Sequence, residues 1–221
     1  MPSPKVSVII PHWNGIEILS ECLESLLQST YPDLEIIVVD NASSDSSADW
    51  LSINFPQVVL IENDKNYGYA GGCNKGTKVA NGEYLLFLNN DTVHQHDCIE
   101  KLADFLNLNP KVAAVQPKIL NYYNRQNFDY AGGAGGWLDV LGYPFARGRV
   151  FLEQEVDLGQ YDKIRPIFWA SGTAIMVRKI DFDSAKGFDD IFFAHQEEID
   201  LCWKFHLLGK EVWSIPSAAI F

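Results

Sequence analysis

The chain has 221 residues, and its 17 lysines and arginines against 29 aspartates and glutamates give a formal net charge of −12 at pH 7. Hydrophobic residues make up 47% and charged residues 21% of the chain, which is typical of a folded globular protein of one large or two small domains. Because sequence-independent binding to nucleic acid needs patches of lysine and arginine, we expect no nucleic-acid partner.

The sequence also argues against export and membrane insertion. No apolar run approaches the roughly 18 residues of a membrane-spanning helix, and residues 1–5 lead straight into a predicted strand without a signal-peptide pattern. Scattered cysteines without a C-x-x-C pair are typical of reduced thiols; they are Cys22, Cys73, Cys98 and Cys202. We therefore expect a cytoplasmic protein.

The first half of the chain alternates strands and helices. Strands are predicted at residues 6–10, 34–39, 58–61 and 84–88, and helices at residues 16–27, through 50–51 and through 106. Pro11 should stop the first strand. We expect residues 43–45 to cap the second helix, and Asp97 with Glu100 to form a capping box for the third.

The second half is less regular. It contains strand-like segments at residues 113–120, 167–177 and 211–215, a glycine-rich stretch at 131–136 and a helix at 197–208. Without a linker or repeat, residues 1–221 are interpreted as one α/β domain with halves 1–110 and 111–221. Strand–helix alternation predicts a mostly parallel sheet flanked by helices.

Ligands of such sheets bind beyond the carboxyl ends of the strands. Four polar loops should meet there, at residues 11–15, 40–45, 62–72 and 89–92. Asp40 could accept hydrogen bonds from a ribose or a base edge. The loop from Asn66 through Gly68 to Lys75 opens a helix, and its free N–H groups favour anions.

Asn89, Asn90 and Asp91 follow a strongly hydrophobic strand. Oxygen-bearing side chains two residues apart can hold a hard divalent cation that keeps positions open for phosphate. An Asx turn that ends the strand is the alternative interpretation. His94 and His96 lie just beyond and are interpreted as surface residues.

The last predicted helix begins with two adjacent glutamates. At 100° per residue, Glu197, Asp200 and Lys204 share one charged stripe, with Asp200 and Lys204 a predicted i,i+4 pair. Glu198 lies on the other side with Cys202 and should face the interior or a cleft, where a carboxylate is costly unless it is paired or functional.

In this order, these segments resemble the family 2 glycosyltransferases, specifically their rhamnosyltransferase-like branch. The similar segments are residues 6–14 (VSVIIPHWN), 36–44 (IIVVDNASS), 66–76, 88–92 (LNNDT, similar to the metal-binding D-x-D motif), 171–174 with Arg178, 187–189 (GFD) and 192–203 (FFAHQEEIDLCW). Each is short, but together they span about 200 residues in the right order.

The resemblance implies a GT-A fold with a mixed acceptor-side half, and an inverting transfer from a nucleoside-diphosphate sugar of UDP or dTDP type. The acceptor would be a glycan or a lipid-linked saccharide of the cell surface. Mg²⁺ or Mn²⁺ on Asp91, with Asn89 nearby, would bridge the diphosphate, and Glu198 would be the general base. The donor site would comprise Pro11, His12, Asn14, Asp40, Asn41, Asn66, Gly68, Lys75 and Asn90, and the acceptor side Trp169, Gly172, Thr173 and Glu197.

Three features depart from that pattern. Glu198 stands where the family usually has aspartate, and Asn89 replaces a carboxylate of the D-x-D motif. The chain ends at Phe221, before a histidine that relatives usually carry, so it looks truncated, and a tail that holds the protein at the inner face of the membrane could follow. The alternatives are a non-catalytic nucleotide- or glycan-binding module and a sugar nucleotidyltransferase, although the latter's N-terminal motif is missing.

Overall fold

A computed structural model describes residues 3–221, so the predictions for Met1 and Pro2 lie outside the described residues. The helices are α1 (Ile16–Leu27), α2 (Ser47–Asn54), α3 (Gly68–Thr77), α4 (Cys98–Leu108), α5 (Lys179–Ser184) and α6 (Glu197–Leu207). The strands are β1 (Val6–His12), β2 (Leu34–Asp40), β3 (Val59–Glu62), β4 (Tyr84–Leu88), β5 (Val112–Ile119), β6 (Gly136–Leu138), β7 (Pro144–Ala146), β8 (Arg149–Val150), β9 (Glu153–Gln154), β10 (Arg165–Ile167), β11 (Ala174–Arg178) and β12 (Glu211–Ile220).

Within residues 3–221, an eight-stranded sheet runs in the order β10-β12-β5-β11-β4-β1-β2-β3. The strands of the first half pair in parallel, as do β12 and β5, whereas β11 and β10 pair antiparallel with their neighbours. Two small hairpins, β6–β7 and β8–β9, belong to the second half of the chain. The structure confirms the predicted α/β class with its helix-flanked sheet.

Pro11 does not stop β1, which continues to His12. The carbonyl of His12 accepts from Asn41 on the β2 side, so the backbone of Pro11 faces β4 instead. Pairing between β1 and β4 already ends at Ile9 and Phe87, and a missing N–H at Pro11 therefore interrupts no ladder.

The second half corrects one predicted strand. The segment 167–177 splits into β10 and β11, which are not neighbours in the sheet, because the chain turns at Ser171, whose N–H donates to Gln116. The last strand, β12, extends to Ile220, five residues beyond the prediction.

The predicted helix caps are wrong at Ser43 and Asp97, whereas the carboxylate of Asp45 does accept a 3.2 Å bond from the N–H of Ser47, the first residue of α2. α2 begins at Ser47, and Ser43 bonds to Asp40 rather than capping the helix. Asp97 makes no cap bond either, since its carboxylate lies 2.8 Å from the ammonium of Lys101. In both cases the polar side chain finds a nearer partner than the orphan N–H groups of the helix.

The histidine prediction is wrong for one of the two residues. His94 is buried, and its Nδ1 lies 2.9 Å from Ser25 Oγ, while burial lowers its pKa to about 4. His96 is exposed, as predicted. The four cysteines are free and buried, in agreement with the prediction of unpaired thiols.

Alternation along β1 separates two hydrophobic layers. Val8 and Ile10 pack with α1 and α4, whereas Ile9 packs on the other face of the sheet with Cys73 of α3 and Phe205 of α6. The amino ends of α3 and α6 therefore lie on the same face, which brings the loop at Gly68 near the two glutamates of α6.

Candidate functional site

Three cavities meet at the carboxyl end of β4. One of about 270 Å³ lies over the ends of β1 and β2, one of about 510 Å³ lies against α6, and one of about 390 Å³ lies beside α1. We name them the strand-end, acceptor-side and α1-side cavities. Asn89 lines all three, and Asp91 lines the strand-end and α1-side cavities.

The strand-end cavity collects most of the residues predicted to bind a nucleotide. Its predicted lining residues are Pro11, His12, Asn41, Asn66, Gly68, Asn89, Asn90 and Asp91. They come from four segments of the chain, and they meet because the parallel strands carry their carboxyl ends to one edge of the sheet.

Three other predicted residues lie outside that lining. Asp40 is buried and accepts a 3.0 Å bond from the N–H of Ser43. Asn14 accepts a 2.8 Å bond from the N–H of Ser44, and the ammonium of Lys75 lies 3.5 Å from the ring centre of Tyr67. Asp40 and Asn14 therefore order the loop that follows β2, and Lys75, which belongs to α3, packs on Tyr67 at the start of that helix.

The glycine-rich loop allows the backbone at Gly68 to lie directly against the backbone of Phe193. Gly68 has a φ of +72°, and a Cβ there would lie 2.1 Å from the carbonyl oxygen of Phe193. That oxygen accepts a 2.8 Å bond from the N–H of Tyr69, so the segment before α6 takes up a donor at the start of α3. Asn41 donates to the carbonyl of Gly68 at 3.1 Å and holds the loop from below.

Asn89 and Asp91 lie on a tightly held turn. The N–H of Asn89 donates to Thr173 at 3.0 Å, and Thr92 Oγ1 donates to the carbonyl of Asn89 at 2.9 Å. Asp91 is exposed as a whole residue, but protein atoms around its carboxyl exclude part of the solvent. This desolvation raises the pKa of the carboxyl, and the charge of Asp129 raises it further.

A divalent cation fits this turn if most of its ligands come from elsewhere. The part of the chain that the structure describes holds no cluster of three or more His, Cys, Asp or Glu side chains arranged for a metal. Asp91 and the amide oxygen of Asn89 would leave most coordination positions to phosphate and water, as Mg²⁺ and Mn²⁺ accept.

The acceptor-side cavity contains both glutamates of α6. Glu197 is 4% exposed, so of the predicted charged stripe this residue is buried, whereas Asp200 and Lys204 form the predicted pair at 2.7 Å. The Oε2 atoms of Glu197 and Glu198 are buried and have no hydrogen-bond partner. Burial, followed by the charge of Glu197, raises the pKa of Glu198 to about 7.

Gly172, Thr173 and Trp169, the other residues predicted for the acceptor side, line the same cavity. A Cβ on Gly172 would lie 3.5 Å from Glu197 Oε1, which is ordinary van der Waals contact, so both carboxylates lie directly against this residue. Trp169 is buried and its Nε1 donates to the carbonyl of Trp137 at 3.1 Å, which makes it both a wall and a packing residue.

Sequence reasoning missed two exposed aromatic residues at the strand-end cavity. Trp13 and Phe193 are each 58% exposed and line that cavity. The sequence could have indicated Trp13, because a tryptophan in a polar loop at a strand end cannot pack into the hydrophobic core and is suited to contact a ligand. Phe193 offered none, since its place depends on the contact with Gly68.

The acceptor-side cavity also contains an arginine that sequence reasoning missed. Arg149 donates to the carbonyl of Tyr130 at 3.0 Å and stacks 4.0 Å from its ring centre. Among the described residues it has no carboxylate partner within 4.0 Å, so its charge is available to a ligand.

Residues 3–221 contain no helix that is both long and apolar enough to cross a membrane.

A family model described as Glycosyl transferase family 2 matches residues 7–157. The poly(ribitol-phosphate) beta-glucosyltransferase of Bacillus spizizenii is 44% identical over 93 residues, which are 39% of this chain and 15% of that protein. The O-antigen biosynthesis protein RfbC of Myxococcus xanthus is 28% identical over 220 residues, 95% of this chain and 16% of that protein. This chain thus spans only a small part of both relatives.

Among solved structures, the mannosyltransferase PcManGT from Pyrobaculum calidifontis, in complex with GDP-Man and Mn²⁺, has a TM-score of 0.71 at 19% identity. The match covers 98% of this chain and 56% of that chain. At this identity the likeness concerns the fold.

Proposed function

The chain belongs to glycosyl transferase family 2, and from this premise we propose that it is the catalytic part of an inverting, metal-dependent glycosyltransferase. It would move a sugar from a nucleoside-diphosphate sugar to a saccharide or lipid-linked acceptor in the synthesis of a cell-surface polysaccharide. Its architecture is the GT-A fold expected from the resemblance.

One observation carries the proposal: the strand-end and acceptor-side cavities share a wall at Asn89. A nucleotide in the first cavity and an acceptor in the second would therefore meet beside Asp91, within one site that also contains Glu198. Transfer in one displacement needs the acceptor oxygen, the anomeric carbon and the leaving oxygen in line, which two cavities meeting at one turn permit.

Asp91 and Asn89 would hold Mg²⁺ or Mn²⁺. When bound, the cation neutralises the charge that develops on the departing diphosphate. This role suits a chain with a formal charge of −12, which otherwise repels a diphosphate. Trp13 and Phe193 offer aromatic faces to the base at the same cavity.

Glu198 would remove the proton from the acceptor hydroxyl. Its raised pKa, near 7, makes it a stronger base than a solvated glutamate while leaving a substantial ionised fraction at neutral pH. Glu197 maintains that elevation through like-charge repulsion. The buried, unpartnered Oε2 of Glu198 is free to accept a proton.

The proposed substrate class is based on the relatives of this chain. The matches to a poly(ribitol-phosphate) beta-glucosyltransferase and to an O-antigen biosynthesis protein favour a cell-surface acceptor. We extend the proposal to a hexosyl or rhamnosyl donor on UDP or dTDP, and to a cytoplasmic protein at the inner face of the membrane. The replacement of a carboxylate by Asn89 favours one alternative, a non-catalytic nucleotide-binding module.

The test is a thermal-shift panel of UDP, dTDP, GDP and CDP, each with and without Mn²⁺. A nucleotide at about 100 times its Kd stabilises by about 2.7 kcal/mol, a shift of a few degrees at this size. We expect a Mn²⁺-dependent shift for one nucleotide that Asp91→Ala abolishes and that Asp104→Ala, an exposed control on α4, retains. A shift without turnover of the corresponding sugar nucleotide would favour the non-catalytic module, and no shift at all would contradict both.

A further inference from the structure

His12 is buried at the end of β1 with both ring nitrogens engaged. It is 1% exposed, its Nε2 lies 2.9 Å from Ser47 Oγ, and its Nδ1 lies 2.9 Å from the Nδ2 of Asn90. Ser47 starts α2, and Asn90 lies between the two residues that would hold the cation. The ring thus joins the loop after β2 to the turn after β4, and neither nitrogen is left for a nucleotide.

Asp45, Ser47, His12 and Asn90 form a continuous series of hydrogen bonds, and the carboxylate of Asp45 sets the direction of each bond. Asp45 accepts bonds from the N–H of Gly15 at 2.6 Å, from the N–H of Ser47 at 3.2 Å and from Ser47 Oγ. Desolvation opposes its ionisation, but the bonds from Ser47 and Gly15 outweigh desolvation and lower its pKa. An ionised Asp45 only accepts, so the single hydroxyl proton of Ser47 points to Asp45.

With the Ser47 hydroxyl proton directed to Asp45, the remaining two hydrogen bonds of the series have only one possible arrangement of donors and acceptors. Ser47 has used its proton, so its oxygen accepts from Nε2–H of His12. Burial lowers the pKa of His12 despite the nearby charges of Asp40 and Asp45, so the ring is neutral and its Nδ1 carries a lone pair. Only the N–H of the Asn90 carboxamide complements that lone pair, because the reversed amide would set two acceptors against each other.

We propose that His12 is a positioning residue that relays the fixed polarity of Asp45 through Ser47 to Asn90, so that the amide oxygen of Asn90 is offered to the strand-end cavity. There the oxygen accepts from an O–H group of the bound nucleotide or of water on the cation. This inference rests on the proposed function, and it replaces direct nucleotide contact by His12 with an indirect role.

The first test is the tautomer of His12, read by long-range ¹H–¹⁵N NMR on the full chain at pH 7 without ligand. The His12 signals are assigned among the five histidines by their loss in His12→Gln. We expect protonated Nε2 and unprotonated Nδ1. A proton on Nδ1 in the wild-type chain would overturn the relay, whether or not the chain binds nucleotide.

The second test is Mn²⁺-dependent binding of UDP, or of the nucleotide that the thermal-shift panel selects, by titration calorimetry. Ser47→Ala interrupts the relay with little change in volume and should weaken binding about 3- to 10-fold, as expected for one misdirected hydrogen bond. His12→Phe should do at least as much, and His12→Gln, which retains one donor and one acceptor, should recover most of it.

The control is Ser46→Ala, the exposed neighbour of Ser47, which should bind like the wild-type chain. Binding by Ser47→Ala and His12→Phe at the wild-type level would overturn the positioning role. Absence of nucleotide binding by the wild-type chain would instead contradict the proposed function, and the tautomer measurement would still decide the relay.

Discussion

At the scale of single residues, burial decides the chemistry of Glu198. The adjacent Glu197 and the loss of solvent raise its pKa to about 7. A carboxyl with a raised pKa stabilises the fold below its unfolded pKa, and this contribution is lost as the pH rises through the folded value. The negative charge that Glu198 needs for the proposed proton removal therefore lowers the free energy of unfolding above pH 7.

We predict opposite effects of Glu198→Gln on activity and stability. Turnover should fall by about 10²- to 10⁴-fold, because a general base is lost. The free energy of unfolding at pH 8 should rise by on the order of 1–3 kcal/mol, and the gain should vanish near pH 4. Denaturant unfolding at both pH values and initial rates measure the two effects.

The exposed Glu17→Gln on α1 is the matched control and should change neither property. The wild-type rate should increase as the pH rises through about 7, since the ionised form of Glu198 is the proposed base. An activity that does not depend on pH in this range, or an active Glu198→Gln, would contradict the assignment.

A second prediction concerns Asn89, which replaces a carboxylate of the D-x-D motif in the proposed cation site. Asn89→Asp places a second charge beside Asp91, and even at the dielectric constant of bulk water a unit charge about 4 Å away contributes about 1 kcal/mol, so Mn²⁺ binding in the presence of UDP should tighten by at least about 5-fold. Without the cation, the two carboxylates should repel and raise the pKa of Asp91 further. Mn²⁺ titration by electron paramagnetic resonance measures the affinity, and an unchanged affinity would exclude position 89 from the cation's surroundings.

At the scale of elements, the start of α3 depends on one glycine. Gly68 combines a left-handed φ with contact to the backbone of Phe193, which no side chain at position 68 could permit. The loop before α6 is therefore fastened to α3, and the two elements border the strand-end cavity together.

We predict that Gly68→Ala abolishes nucleotide binding beyond its effect on stability. The matched control is Gly142→Ala, which has a φ of +86° and no atom within 4 Å of the added Cβ. Both should lose about 1–2 kcal/mol of unfolding free energy from left-handed strain, but only Gly68→Ala should also displace the loop at Phe193. Equal UDP binding by the two variants would show that this loop does not border the nucleotide.

At the scale of the whole molecule, the last strand supports the turn that contains Asn89 and Asp91. β12 lies between β5 and β10, and Phe221 exchanges two 2.8 Å backbone bonds with Val93, two residues after Asp91. Ile220 is 1% exposed and packs in the same layer as α1 and α4. The position of Asp91 thus depends on residues that are distant in sequence.

We predict that Ile220→Ala costs about 2–5 kcal/mol of unfolding free energy, as for other buried isoleucines, and also weakens Mn²⁺-dependent nucleotide binding. Ile180→Ala is the control, because Ile180 is 73% exposed and should change stability by less than about 0.5 kcal/mol. Faster hydrogen exchange at Val93 in Ile220→Ala would show that the turn is loosened, and unchanged exchange would contradict the coupling.

The regular elements of the first half were predictable because their patterns are local. Apolar spacing predicted α1 over Ile16–Leu27, and a continuous apolar run predicted β4 over Tyr84–Leu88, both with the observed bounds. The absence of caps at Ser43 and Asp97 was not predictable. Ser43 bonds to Asp40 and Asp97 pairs with Lys101, and the sequence does not show which of two possible partners a polar side chain prefers.

The local sequence determined the main strands and helices of the first half and the polar loops at the strand ends, because these follow from periodicity and neighbouring residues. Only the tertiary structure decided which of those side chains face a cavity. It turned Asp40 toward Ser43, buried Glu197 beside Glu198 and placed His12 between Ser47 and Asn90. The contacts of His12 join residues that are 35 and 78 positions apart in the chain. Burial, hydrogen-bond direction and pKa depend on how the side chains pack rather than on sequence spacing.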